Sequence, residues 1–170
     1  MQWDEALGFK LRIMRDRLEG AGVRWAVFAG AAAYCYGSKR KVTDIDVLVK
    51  GVDLENAKAV LSNVEGVDVV ADFKINVNGE TCLFFMDEEM KEKIQWRKLF
   101  DVEIPVIPVE DNVIFKAILQ RTENQGKHDI EDIRCMIKNE KIDLEYLKKR
   151  IRKYHAEERV KPLLKTLGIL

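Results

Sequence analysis

Two short apolar runs, Val23 to Ala29 and Asp44 to Val49, constrain this chain more than any other feature. Each is too short for a self-sufficient helix and is bounded by glycine or charged residues, so both read as buried strands. Between them Gly30 to Tyr36 is rich in alanine, and Gly37 stands where a helix C-terminal cap would. A strand, a glycine turn, a short helix and a second strand in close succession call for a sheet with helices packed on it.

The remaining pattern extends this frame. Trp3, Leu7, Leu11, Met14 and Leu18 recur at helical steps and define an amphipathic helix that ends near Gly20–Gly22. Asp53 is placed to cap a helix running to about Asn63. Val67–Ala71 and Phe73–Val77 are strand-like, Asn78-Gly79 is a hairpin turn, and Thr81–Met86 is the return strand. Asp87 to about Arg97 reads as helix, and Val102–Val109, with Pro105 and Pro108, as an edge strand. After Glu110 and Asp111 the pattern is helical only: to Arg121, then through Ile130, Ile133 and Ile137, then Leu144 to Tyr154, then Val160 to Leu167. The expected fold class is therefore α/β (α+β): a small mixed sheet flanked by helices over residues 1–109, followed by a helical region, 110–170, packed on it.

Composition narrows the function. A chain of 170 residues that is 47% hydrophobic and 34% charged is neither disordered nor fibrous. No apolar run approaches the roughly 20 residues of a membrane span, and Met1–Glu5 lacks a signal-peptide pattern, so a cytoplasmic location is expected. Lys+Arg and Asp+Glu are both 29. The balance is uneven: residues 65–111 hold twelve acids and five bases, and residues 138–165 hold ten bases and five acids. A basic tail of that kind can meet phosphate or simply be a solvated helix face. Cys35, Cys82 and Cys135 form no CxxC and no zinc spacing with His128 or His155, and read as small core residues.

The chemistry concentrates at Asp44 and Asp46. On a strand, residues two apart point to the same face. Two carboxylates about 5 Å apart at an effective dielectric near 20 repel by roughly 3 kcal/mol, a cost that a divalent cation reverses. Oxygen ligands of this type suit Mg²⁺ or Mn²⁺. An isolated Asp-x-Asp is also a common solvated strand start. Here, however, Gly30 and Ala31 follow a buried strand, where free backbone N–H groups can face phosphate. Lys39, Arg40 and Lys41 lie just before the carboxylates. Together these residues describe a metal–nucleotide site.

At these residues the chain resembles the nucleotidyltransferase superfamily, with its DNA polymerase beta-like fold. Gly30-Ala31, twelve intervening residues and Asp44-Ile45-Asp46 match its signature of Gly-Gly/Ser, a spacer and Asp-hydrophobic-Asp. Arg40-Lys41-Val42-Thr43 is similar to the Arg-x-Thr of minimal nucleotidyltransferases related to AbiEii-type toxins, with one extra residue. Glu110-Asp111 to Lys116 and Lys127-His128-Asp129 to Ile133 are similar to their helical half. The resemblance implies transfer of a nucleoside monophosphate from an Mg²⁺-bound nucleoside triphosphate to an acceptor hydroxyl. Asp44 and Asp46 would hold metal, and Gly30, Ala31, Lys39, Arg40 and Lys116 the phosphates; the acceptor, small molecule, RNA or protein, is unspecified. Asp129, Asp132 and His128 read first as structural or surface residues.

Two departures qualify this. Ala31 supplies no hydroxyl. The strand expected to carry a third catalytic carboxylate, Thr81–Met86, has no acid, and Cys82 or Leu83 occupies the position. Glu80 is the nearest substitute and Asp87 lies at the far end. If neither serves, the alternative is a catalytically degenerate fold kept as a nucleotide-binding module or as one half of a toxin–antitoxin pair with a small protein partner. A nucleic-acid binder relying on the basic tail is a third reading.

Overall fold

The run after Gly22 forms β1 (Trp25–Phe28), buried at all four positions in the computed structural model, which describes residues 3–170. Burial on both faces explains its unbroken apolar character. On one side lies α1 (Trp3–Gly20), whose Leu7, Leu11, Met14 and Leu18 point inward. β1 leads directly into α2 (Ala29–Cys35), and β2 (Ile45–Val49) returns antiparallel to β1. After α3 (Leu54–Val60), β3 (Val67–Val70) adds parallel to β2.

Two further pairs follow. β4 (Phe73–Val77) and β5 (Glu80–Phe84) form a separate two-stranded sheet, turned by Asn78 and Gly79 at φ 51° and 80°. Both angles are positive, as the tight primed hairpin turn requires. Beyond α4 (Glu88–Lys93), β6 (Gln95–Leu99) and β7 (Val102–Val106) pair antiparallel. The main sheet has the order β3-β2-β1-β7-β6, with β7 parallel to β1. The chain ends with α5 (Val109–Leu119), α6 (Asp129–Asn139), α7 (Leu144–Lys153) and α8 (Glu157–Thr166).

Topology positions the site. β1 and β7 run parallel, so α2 and α5 start at the same end of the sheet. At that end Phe28 lies opposite Asp46, and Asp46 opposite Asp68 on β3. α5 is buried from Val109 to Ile118 and forms the axis of the helical part. Its Phe115 ring centre lies 5.0 Å from that of Phe28 and 5.1 Å from that of Phe84 on the hairpin. Phe84 in turn stacks on Tyr154 at 4.9 Å. One aromatic cluster therefore joins main sheet, hairpin and helices.

The structure corrects three expectations. The helix from Asp87 stops at Lys93, and residues 95–99 are strand, because Phe100 and Asp101, at φ 49° and 64°, make a tight turn without glycine. That turn has no sequence signature; it is supported by packing of Phe100 on Trp3 and Tyr34, each at 5.1 Å. Second, β7 is internal, and the edges are β3 and β6. Its proline is tolerated because only Val27 and Val106 are in register with β1, and Ile107 N–H donates to Val27 O at 3.1 Å. Strand alternation puts the Pro105 nitrogen on that same side, one step past the last paired residue, where no ladder bond is lost. Third, Asp53 precedes α3 without a side-chain capping bond, whereas Asp87 caps α4 by accepting from Met90 N–H at 2.9 Å.

Burying α5 requires a partner for each of its polar groups. Asp111, fully buried, accepts from Tyr146 and Tyr154 hydroxyls, both at 2.5 Å, and from Arg150 Nε at 2.9 Å. Arg150, also fully buried, spends its other nitrogens on Asp87, Glu89, Tyr154 and the Phe85 carbonyl. Removing one partner of a buried ion pair strands the other charge, at about 3–5 kcal/mol. Arg150→Met is therefore expected to cost about that much in urea unfolding, and Arg150→Met combined with Asp111→Asn distinctly less than the sum of the singles. Additive losses would show that the two charges are independent.

Candidate functional site

Asp44 precedes β2 and Asp46 lies within it, two residues on and thus on the same face. Parallel pairing with β3 sets Asp68 beside Asp46. All three line a cleft of about 670 Å³ at the sheet end from which α2 and α5 start. Arg40, Lys41, Lys116, Arg121 and Lys127 form a basic wall of the same cleft, and Phe28, Phe73 and Phe115 add apolar lining. The cleft thus brings acidic, basic and apolar side chains together.

Asp46 is half-buried, and Asp44 and Asp68 are exposed. Among the described residues none of the three takes part in an ion pair or a side-chain hydrogen bond. Burial, then the charges of Asp68 and Asp44, push the Asp46 carboxyl up to about 6, against the pull of Lys116 and Arg121. Three carboxylates lining one cleft without an ion pair could serve as oxygen ligands for a hard cation such as Mg²⁺ or Mn²⁺. Their oxygens are not drawn into one tight cluster. Among the described residues the single trio of metal-type side chains within 4.8 Å of one another is Glu123, His128 and Glu131, at the cleft rim. There His128 Nδ1 is buried without a hydrogen-bond partner, 3.9 Å from Glu123 and 3.8 Å from Glu131. Arg40 also holds Glu131, at 3.2 Å.

The bases are built in differently. Lys116, on buried α5, lies 3.1 Å from both Asp129 and Asp132 of α6. Asp129 also accepts from Arg121 Nε and from Arg121 N–H, both at 2.8 Å. Burial would raise Asp129, but the Arg121 hydrogen bonds and the Lys116 charge hold its carboxyl below the usual range. Asp132 accepts from Ser38 Oγ at 3.0 Å and pairs with Arg40 at 3.4 Å. Asp129 and Asp132 therefore anchor the basic wall to the helical part, and α6 is a scaffold for charge at the cleft.

Asp44, Asp46, Gly30, Arg40 and Lys116 are brought together at this cleft. Gly30 is part of its wall, and a Cβ added there would meet nothing within 4 Å. Three expected residues lie elsewhere. Ala31 is buried in the core. Lys39 places its ammonium over the Tyr34 ring, 5.5 Å from the centre, outside the cleft. Glu80 sits at the hairpin tip opposite Val77 and borders a different depression with Arg152 and His155. The reason is topological: the hairpin is not part of the main sheet, so β5 never lies beside β2. β3 does, and it brings to the cleft a third carboxylate, Asp68, that was not among the expected residues. Its signal was present, a lone acid inside the apolar strand Val67-Asp68-Val69-Val70.

No family model matches the chain, and no curated protein matches it. Solved structures do. The antibiotic-resistance factor ANT(2'')-Ia matches with a TM-score of 0.63 at 11% identity, over 90% of this chain and 95% of that one. A Thermotoga maritima structure assigned as a nucleotidyltransferase matches with a TM-score of 0.52 at 18% identity, over 68% and 86%. At these identities the likeness is one of fold: this chain has the nucleotidyltransferase fold. No helix among the described residues is long and apolar enough to cross a membrane.

The Asp46 environment has a measurable consequence. A carboxyl raised from 3.8 to about 6 binds its proton more tightly in the folded state. Stability from this group is therefore greatest below pH 4 and is lost as pH rises towards 6. Above pH 6, without metal, Asp46→Asn should be more stable than wild type by roughly 2 kcal/mol once partial solvation is allowed for. The gap should close below pH 4. Paired urea melts from pH 4 to pH 8 check this; a constant difference would mean that Asp46 does not carry the buried charge.

Proposed function

We propose that this protein transfers a nucleoside monophosphate from a metal-bound nucleoside triphosphate to an acceptor hydroxyl. The observation that carries the reading is one cleft lined both by three carboxylates without an ion pair and by lysines and arginines. The nucleotidyltransferase fold of the chain supports it.

In this reading Asp44 and Asp46 hold Mg²⁺ or Mn²⁺, with Asp68 beside them. The bound metal would neutralise phosphate charge and polarise the reacting oxygens. Arg40, Lys41 and Lys127, the solvent-facing bases of the wall, meet the β- and γ-phosphates, while Lys116 and Arg121 add field from behind. Gly30, without a side chain, lets the phosphates approach the backbone. Phe73 and Phe115 offer apolar surface to the base or sugar. Asp68 takes the proton of the acceptor hydroxyl as the new oxygen–phosphorus bond forms at the α-phosphorus. The bond to the departing pyrophosphate breaks in the same displacement. The protein's task is positioning and charge stabilisation.

The expectation of a degenerate module rested on a missing third carboxylate and on Ala31. Asp68 offers the carboxylate, and only the hydroxyl that Ala31 lacks still favours the second reading. The test separates Asp68 from Glu80. With labelled nucleoside triphosphates and Mg²⁺ or Mn²⁺ against host extract fractions, Asp68→Asn should lower transfer at least about 100-fold, the scale of a lost general base. Glu80→Gln should transfer as wild type does. Loss in Glu80→Gln with retention in Asp68→Asn would overturn the assignment.

A further inference from the structure

Ala29 is the first residue of α2 and lines the cleft next to Gly30. Its φ is 58°, the left-handed region that side chains with a Cβ rarely occupy. Such a residue persists only where its surroundings over-determine it. Here the surroundings are a single side chain from another part of the molecule. Ala29 N–H donates to Asn112 Oδ1 at 2.7 Å, and Asn112 Nδ2 donates to Ala29 O at 3.1 Å. The second Asn112 Nδ2 contact is Met136 Sδ on α6, at 3.4 Å. Asn112 is fully buried, and each of its polar atoms is used.

From this geometry we infer that Asn112 is a positioning residue for the nucleotide, clamping the Ala29 peptide from α5 so that the Ala29–Gly30 backbone forms the cleft wall beside the carboxylates. Both polar groups of one residue are gripped by both ends of one amide, so the turn cannot relax to an ordinary φ without breaking two buried hydrogen bonds. α5 also carries Lys116, so the same helix fixes the backbone wall and part of the basic wall in one frame. The contact connects residues 83 positions apart and ties the backbone wall of the cleft to the helical part. This role rests on the nucleotide reading of the cleft.

The clamp and the strain make a specific pair of variants informative. Asn112→Ala removes both hydrogen bonds, and Ala29 should leave the left-handed region. Nucleoside triphosphate affinity, measured by calorimetry with Mg²⁺, should fall about tenfold or more, the scale of one lost buried hydrogen-bonded group. Mn²⁺ affinity without nucleotide should stay within about twofold of wild type, because the carboxylates lie on β2 and β3. Glycine occupies positive φ without penalty. Adding Ala29→Gly to Asn112→Ala should therefore restore most of the lost nucleotide affinity, which a merely structural asparagine would not allow. If Asn112→Ala does not fold, Asn112→Ser is carried through the same comparison. Unchanged nucleotide affinity, parallel loss of Mn²⁺ and nucleotide binding, or no rescue by Ala29→Gly would each overturn the inference. A wild-type protein that binds Mn²⁺ but no nucleoside triphosphate would instead overturn the functional reading, and this role with it.

Discussion

The structure depends on how a fully buried helix disposes of its polar side chains. α5 is enclosed from Val109 to Ile118, yet includes Asp111, Asn112 and Lys116. None can reach bulk water, so each must find a partner in a different layer. Asp111 takes Arg150 and two tyrosines of α7 and its C-terminal end. Asn112 takes the turn at the end of β1. Lys116 takes the two aspartates of α6. The apolar face of the helix closes the core through Phe115. Its polar residues decide which neighbour sits where, and they do so by satisfaction geometry rather than by area.

That arrangement also explains why the cleft is charged as it is. Arg40, Lys116 and Arg121 are held by Asp129, Glu131 and Asp132 of α6, so these cations stay in place without a ligand. The three cleft carboxylates have no such backing. Strand pairing alone brings Asp46 beside Asp68, and burial then makes ionisation of Asp46 costly. Half-buried Asp46 beside two other carboxylates costs stability at the place where a cation would return it.

Much of this was legible in the sequence. The strand–glycine–helix–strand run, the paired aspartates and the Asn78-Gly79 hairpin are local patterns with local causes, and the structure has them where the residues suggest. What was not legible depended on pairing between distant segments. The Phe100–Asp101 turn has no glycine, and only packing on Trp3 and Tyr34 makes it affordable, so β6 read as helix. The choice of Glu80 assumed that β5 lies beside β2. Strand order is a property of the whole sheet, and it puts β3, with Asp68, beside β2. The Ala29 clamp was equally invisible, since neither Ala29 nor Asn112 has any local signature of its role.

In the proposed reading Asp44, Asp46 and Asp68 form a cation site whose occupancy is linked to the proton on Asp46. Calorimetric titration with Mn²⁺ alone, in two buffers of different ionisation enthalpy, measures that linkage directly. With Asp46 at about 6, binding at pH 6 should release about half a proton, falling towards none by pH 8. Asp46→Asn should abolish the release together with most of the affinity. Mn²⁺ binding that releases no proton at pH 6, or that survives unchanged in Asp46→Asn, would contradict the account.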